Sequence, residues 1–288
     1  MKKAFVRSEW PAFFSMFRIL VIFCALGFIW PQASFAADSN ENSNGKSSFY
    51  SIGVSSGWVN YLEPGYISFY GVMSGIDGVL QINTQSMFDF RLEGDLLYGN
   101  IQYDGQVTDR LGNSAPLKAG ANDYMTMFRI KPELDFALGA GFDLVFNAGF
   151  GYRYLNDRVN SSSGYQREIA YLFFPLGLRT EYKINTKCSL TFDGEYDFFW
   201  YGKVKSHLSD IDPTKPDVTN TQSSSLNFGY RAFLEYQVLI GSIWWGFKPY
   251  YQYWSVENSD RAPYVSGQVL IEPKNSSSMG GLIIEARL

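Results

Sequence analysis

The sequence predicts an all-β protein: a closed antiparallel transmembrane β-barrel of about ten strands. Apolar and polar residues alternate at period two along most of the chain after residue 36, which is typical of strands. No apolar stretch in that part has the roughly 20 residues that a membrane-spanning helix needs. Short and long connections alternate between the predicted strands. Together these observations favour a barrel that meets lipid on one face and polar groups on the other.

The first residues have the features of a secretory signal peptide. Basic residues precede an apolar run at 19–30, and the small residues Ser34 and Ala36 stand at positions −3 and −1 of a cleavage site. A retained membrane anchor is the alternative, but the run is short for a spanning helix. We therefore expect a signal peptide at 1–36, a polar N-terminal segment at 37–47 and a barrel at 48–288.

Composition limits the classes of partner. The chain has 24 Lys+Arg and 28 Asp+Glu. The predicted signal holds four of the former and one of the latter, which leaves 20 against 27 and a net charge of −7. A nucleic-acid partner is excluded because such proteins carry a basic patch or stripe. Cys188 is the one cysteine left after the signal, so an intramolecular disulfide is excluded as well.

Ten segments carry the strand pattern. In chain order they are about 48–61, 66–82, 88–98, 128–138, 142–154, 167–183, 190–200, 226–238, 243–256 and 277–288. The alternation is clearest in the third, fourth, fifth, seventh and eighth, and the others fill the gaps between turn signals. In 88–98, for example, Phe88 and Phe90 share one face while Asp89 and Arg91 share the other, because successive strand side chains point to opposite sides.

The connections predict how the barrel is oriented. Tight turns are expected near 83–86, 139–141, 185–187 and 240–242, and polar loops near 62–65, 102–122, 156–166, 202–222 and 257–276. Barrels of the outer membrane place short turns in the periplasm and longer loops outside, so both chain ends should be periplasmic. A soluble sandwich or jelly roll is the alternative, since it also alternates. In lipid an open sheet edge would leave backbone N–H and C=O groups unpaired, so the sheet must close into a barrel.

This plan resembles the Gram-negative outer-membrane β-barrels, and over 48–288 its layout of strands and loops is similar to that of the omptin proteases. Omptins carry Asp-x-Asp in the second outer loop and Asp-x-His in the fourth. Here the second loop has Asp104 and Asp109 without that spacing, and in the fourth His207 precedes its aspartates. The resemblance implies an outer-membrane location, contact with lipid and lipopolysaccharide, and insertion by the barrel assembly machinery. It does not imply the protease activity.

Candidate catalytic residues lie in the predicted fourth loop. His207 is the single histidine of the chain, and histidine suits acid–base chemistry near neutral pH. The candidates are His207, Ser209, Asp210 and Asp212, and the alternative is a solvated loop without chemistry. Asp217 in the same loop is expected to be an exposed charge. No zinc spacing, phosphate-binding glycine loop or nucleophile elbow occurs, so we expect no cofactor and no metal.

Charged residues on the inward faces are the most informative feature. Buried charges must be paired or hydrated. The predicted lumen residues are Asp89, Arg91, Glu93, Asp95, Arg129, Lys131, Glu133, Asp135, Arg179, Glu181, Asp193, Glu195, Asp197, Arg231, Glu235, Glu285 and Arg287. They form either an ion-pair network that fills the barrel or the lining of a narrow pore.

Three functions remain open. The first is a non-enzymatic outer-membrane barrel with a charge-filled lumen and a structural or surface-interaction role, whose extracellular ligand the sequence does not identify. The second is a hydrolase of the outer membrane that acts on peptide or lipid. The third is a porin-like channel for small solutes. A ten-stranded barrel favours a filled lumen, since small barrels are filled by side chains.

Overall fold

The computed structural model describes residues 47–84, 88–108 and 114–288. The predicted signal peptide and all but the last residue of the predicted polar segment lie outside these ranges. Among the described residues, no helix is long and apolar enough to cross a membrane.

Strands make up most of the described chain. They are β1 (Phe49–Glu63), β2 (Ile67–Ile82), β3 (Phe88–Thr108), β4 (Ser114–Gly139), β5 (Phe142–Ala148), β6 (Phe150–Val159), β7 (Gln166–Asn185), β8 (Cys188–Ser206), β9 (Val218–Gln222), β10 (Phe228–Ile240), β11 (Ile243–Val256), β12 (Ala262–Pro263), β13 (Val269–Leu270) and β14 (Asn275–Arg287). Short 3₁₀ turns lie at Leu208–Asp210 and Val265–Gly267.

The strands close into a ring of ten antiparallel positions. Strand pairing runs from β1 through β2, β3 and β4 to β7, β8, β10, β11 and β14, and β14 pairs with β1 from Ser51↔Arg287 to Leu62↔Ser276. Consecutive strands β5 and β6 together fill the position between β4 and β7. Strand β9 continues the position of β10 along β8. The predicted closed antiparallel barrel is confirmed.

Two glycine-dependent sites shape the wall. At Gly149, between β5 and β6, a Cβ atom would lie 2.0 Å from the carbonyl oxygen of Ile130, so no side chain fits there. The tight turn at 139–141 has positive φ at all three residues: 85° at Gly139, 51° at Ala140 and 81° at Gly141. Glycine adopts such angles without steric cost. The predicted turn at 139–141 is therefore confirmed.

The wall continues past several predicted loop boundaries. Strands β3 and β4 pair as far as Thr108↔Ser114, through most of the segment predicted as a loop at 102–122. Strand β8 reaches Ser206 and β9 begins at Val218, so the fourth loop is 207–217. The outward positions of this upper wall are polar, as at Asn100 and Gln102, whereas the inward Ile101 and Tyr103 are buried. The alternation therefore reverses its phase where the strands leave the lipid, and backbone pairing continues.

The outer surface carries the belt expected of a membrane barrel. Outward aliphatic and aromatic side chains are exposed along the middle of the wall, such as Ile76, Leu96 and Ile130. Aromatic girdles bound this belt, with Trp58, Tyr98, Tyr124 and Trp200 on the side of the loops and Tyr50, Phe88, Phe136 and Phe142 on the side of the turns. Segment 88–98 of β3 crosses between them, which matches the roughly 9–11 residues of a tilted crossing.

The lumen is not filled by charge alone. An apolar layer of buried side chains fills part of it, including Met73, Met125, Met127, Ile169, Tyr171, Phe173, Trp254 and Met279. Tyr171 and Phe173 pack on Trp254 with ring centroids 5.8 and 5.0 Å away. The expectation of a purely charge-filled lumen was therefore incomplete. Met125 and Met127 continue the inward face of β4 beyond its charged stretch, so one strand face changes from ionic to apolar along its length.

Candidate functional site

A network of charged side chains crosses the lumen and joins strands that are not neighbours. The Lys131 ammonium of β4 lies 2.9 Å from Glu93 Oε1 and 3.1 Å from Glu195 Oε2 of β8. The Arg231 guanidinium of β10 contacts Glu93 of β3 and lies 2.8 Å from Glu195 Oε1. Arg129 Nε lies 2.8 Å from the same Glu195 oxygen. We call this group, with Arg91 and Asp197, the charge network.

Further pairs extend the charge network toward the turns. Arg179 donates two hydrogen bonds to Glu133, at 2.7 and 2.8 Å, in the bidentate geometry that suits a guanidinium and a carboxylate. Gln81 donates to the same Glu133 at 3.0 Å. Lys248 Nζ lies 2.7 Å from Glu285 Oε2. Most charges in this half of the lumen are thus held by a partner of opposite sign.

A small cavity lies between side chains of this half of the lumen. A cavity of about 30 Å³ lies among Asp77, Arg91, Asp193, Arg231, Glu235 and Lys248. Since one water needs roughly 10–15 Å³ of such volume, the cavity holds about two. Its lining carries both signs of charge, which does not favour an ion of either sign.

Asp197 belongs to the charge network, since its Oδ2 lies 3.4 Å from Arg129 Nη2. Several other predicted lumen residues lie outside the network. Asp89 is buried at the turn end and accepts a hydrogen bond from the Thr84 backbone. Glu181 and Arg287 lie half-buried near the turns, and the Arg287 guanidinium stacks on the Phe49 ring at 3.6 Å. Asp95 and Asp135 are also half-buried.

A second ionic group, the outer cluster, lies beyond the girdle on the side of the loops. Arg167 of β7 donates to Glu63 Oε1 at 2.6 Å, to Glu272 Oε1 at 3.0 Å and to both oxygens of Asp157 at 3.3 and 3.1 Å. Asp123 is paired across the strands with Asp157. The outer cluster therefore gathers four carboxyl groups around one guanidinium, all of them buried.

His207 lies at the start of the fourth loop and is held on both sides. Its Nε2 is 2.6 Å from Glu168 Oε1, and its Nδ1 is 3.2 Å from Asp217 Oδ2. The Ser209 hydroxyl donates to Asp217 Oδ1 at 2.7 Å rather than to the histidine. Since both imidazole nitrogens already face carboxylates, neither is free to take the serine proton.

The other candidates of this loop bind the backbone and a threonine. Asp210 Oδ2 accepts from the Gln166 N–H at 3.1 Å, and Asp212 Oδ1 accepts from Thr214 at 2.7 and 3.0 Å. Of the four predicted residues, only Ser209 shares a carboxylate with His207. Asp217 is exposed, as predicted, and it also binds Ser209 and His207. Burial alone would raise the pKa of Asp217, but hydrogen bonds from Ser209, with His207 and Lys205 nearby, hold it below its ordinary value.

Several residues of these groups escaped the sequence analysis. Glu63, Asp157 and Arg167 lie in or beside segments predicted as loops, and Glu272 lies in the fifth loop. Lys248 stands within an aromatic stretch between Phe247 and Pro249, and a lone cation there is a signal that could have placed it in the lumen. No signal in the sequence indicates that Glu168 meets His207.

Comparisons with known proteins give the fold and no closer relationship. No family model and no curated protein matches the chain. Among solved structures, the outer membrane protease OmpT of Escherichia coli aligns at 10% identity over 86% of this chain and 100% of its own, with a TM-score of 0.56. A major outer membrane protein of Thermus thermophilus aligns at 10% identity over 84% and 100%, with a TM-score of 0.38. The chain has the fold of the outer-membrane β-barrels, in a ten-stranded layout like that of the omptins.

Within the described residues, no group of three or more His, Cys, Asp or Glu side chains could hold a metal ion.

Proposed function

We propose that this protein is a non-conducting, non-enzymatic barrel of the outer membrane that acts through its extracellular end. It would be exported with a cleaved signal peptide, inserted by the barrel assembly machinery with both termini in the periplasm, and surrounded by lipid and lipopolysaccharide. The small volume of the cavity in the lumen supports the absence of conduction. Between the side chains of the ionic half this cavity measures about 30 Å³.

The two layers would block solutes in different ways. The charge network spans the barrel, so a passing ion would have to separate contacts such as Lys131 to Glu195. Breaking a buried pair costs about 3–5 kcal/mol. Most side chains of the apolar layer are Met, Ile, Phe or Trp groups that poorly replace the water around an ion, and Arg153 lies on the rings of Tyr171 and Trp254 at 5.5 and 5.7 Å.

Single-channel recording in planar lipid bilayers tests the proposal. We expect no steady conductance from the wild type. Arg91→Ala with Arg129→Ala weakens the charge network, and this double variant should also stay silent because the apolar layer is intact. Adding Phe173→Ala and Trp254→Ala removes the packed rings as well, and this combined variant should conduct cations because carboxylates then dominate the lumen.

Every variant is first checked for a folded barrel by comparing the gel mobility of unboiled and boiled samples. A steady, well-resolved conductance of the wild type would overturn the proposal and favour a small-solute channel.

A hydrolase of the outer face is the second candidate. The observation that favours it is the position of His207 between Glu168 and Asp217, beside Ser209, in a fold shared with a protease. The test is to incubate wild type and His207→Ala with peptides and with lipid A and to measure product masses. Products formed by the wild type and lost in the variant would support the hydrolase.

A further inference from the structure

The fifth outer loop, residues 257–274, is held at the barrel mouth by hydrogen bonds to β9 and by one acidic side chain that enters the outer cluster. Glu272 reaches inward from the loop, and Arg167 Nη1 donates to it at 3.0 Å. The loop is braced against β9, where Asp260 N donates to Thr221 O at 2.8 Å and Asn220 donates to Leu270 O at 3.0 Å. Glu272 is therefore the contact between this loop and the ionic groups of the lumen.

The outer cluster holds more acid than its cation can balance. Glu63, Asp123, Asp157 and Glu272 face Arg167, so complete ionisation would leave three uncompensated negative charges in a buried site. Oδ1 of Asp123 is buried and finds no hydrogen-bond partner among the described residues. Like charges directly opposite each other across two strands are destabilising, which applies to Asp123 and Asp157.

Protons relieve this excess. Burial raises the pKa of Glu272 to about 7; Arg167 opposes the rise, and Glu63 and Asp157 add to it. Burial and then the charge of Asp157 raise the pKa of Asp123 to about 8. The other titratable groups that face the cluster are the hydroxyls of Tyr61, Tyr103, Tyr165 and Tyr171. Burial raises the pKa of Tyr61, Tyr103 and Tyr165, so these hydroxyls stay neutral through this range.

The four carboxyl groups differ in how they are anchored. Asp123 of β4 and Asp157 of β6 are fixed by strand pairing on both sides, and Glu63, the last residue of β1, is paired with Ile67 of β2. Glu272 stands on a loop. When the carboxyls ionise, the side chain that can leave is that of Glu272, and its departure frees the loop from the cluster while the contacts of the loop to β9 remain.

We propose that the outer cluster is a proton-operated clasp, which holds the fifth loop over the mouth of the barrel in acid and releases it as the pH rises. The direction follows from linkage. A carboxyl whose pKa is raised in the closed state binds its proton more tightly there, so closure is favoured at low pH and lost as the pH rises through about 7. With an ordinary pKa of 4.5 in the open state and about 7 in the closed state, the ratio of closed to open falls by up to about 300-fold.

Spin-label mobility across pH 5–9 tests the clasp in the full-length protein. Val265 is an exposed residue of the loop, and Val265→Cys in a Cys24→Ser, Cys188→Ser background places a single label there, since the sequence has these two cysteines. We expect the label on the otherwise wild-type protein to become mobile as the pH rises from 6 to 8. Glu272→Gln keeps a hydrogen-bonding side chain but cannot ionise, so its label should show one mobility throughout.

Glu257→Gln is the matched control, because Glu257 belongs to the same loop and pairs with the half-exposed Lys274 outside the cluster. It should respond to pH as the wild type does. Glu63→Gln should move the transition to lower pH, because it removes a negative charge beside Glu272. The clasp is refuted if the label on the otherwise wild-type protein has the same mobility at pH 5 and pH 9, or if Glu272→Gln retains the wild-type response. The first of these results does not require any variant of the cluster to fold.

Discussion

Lys131→Met measures what the charge network contributes to the free energy of unfolding. The lysine side chain is fully buried and its ammonium contacts Glu93 and Glu195, at 2.9 and 3.1 Å. Methionine keeps much of the chain length and the apolar contacts of the lysine stem but removes the charge. Two buried carboxylates then lose one of their cations without gaining solvent.

The expected loss in the free energy of unfolding depends on the ion pairs that remain in the Lys131→Met variant. Removing one member of a buried ion pair costs about 3–5 kcal/mol. Glu195 keeps Arg129 and Arg231, and Glu93 keeps Arg91 and Arg231. We therefore expect the lower end of that range, about 3 kcal/mol. Lys183→Met is the matched control: Lys183 Nζ lies 2.7 Å from Asp143 Oδ2, but its side chain is 52% exposed, and such a pair contributes roughly 0–1 kcal/mol.

The assay is reversible unfolding by guanidinium chloride in lipid vesicles, followed by the mobility of unboiled samples on a detergent gel. Similar losses of stability for Lys131→Met and Lys183→Met would refute the reasoning, because the two lysines differ chiefly in burial. The double variant Lys131→Met with Glu195→Gln provides a second check. It should lose less than the sum of its single variants, since it removes both members of the pair.

Two further predictions concern the outer wall and the fourth loop. Ile130→Arg, midway between the girdles, should cost about 2–4 kcal/mol in the same assay, whereas Leu134→Arg, near the girdle on the side of the turns, should cost roughly 0–1 kcal/mol; equal costs would show that the belt is misplaced. Asp217→Asn should speed trypsin cleavage at Lys215, while Asp104→Asn, which breaks an exposed pair with Lys118, should not. The pKa of Asp217 lies below its ordinary value, so its hydrogen bonds stabilise the wild-type loop at pH values above the ordinary carboxyl pKa. That stabilisation is lost as the pH falls through the lowered pKa of Asp217, so the loop should loosen in acid.

Period-two alternation was sufficient to predict the barrel because lipid and lumen are two different solvents on the two faces of each strand. In β3 the exposed Phe88 and Phe90 flank the buried Asp89, as the pattern requires. Above the outer girdle the alternation continues with the opposite phase, because the outward Gln102 is polar and the inward Ile101 and Tyr103 are buried. A prediction that expects apolar side chains on the outward face therefore ends the strand too early.

The candidate sites were less predictable because their partners come from distant parts of the chain. Alternation places Lys131 and Glu195 inside, but it does not say that β4 and β8 face each other across the lumen. The outer cluster depends on a loop residue, Glu272, whose position no local pattern fixes. His207 could be singled out as the only histidine, whereas its partner Glu168 looks like an ordinary charge beside Arg167.

The ion pairs across the lumen also determine the strand register, which the contact with lipid does not fix. If β4 slid by two residues along its neighbours, every aliphatic side chain would still face outward and every charge inward, because the pattern repeats at two. Such a slip moves each side chain by roughly 7 Å along the strand. Lys131 would then leave Glu93 and Glu195, which it now contacts at 2.9 and 3.1 Å. The hydrophobic belt determines which face of each strand meets the lipid. The ion pairs of the charge network then select one strand register among those that differ by two residues and satisfy the belt equally well.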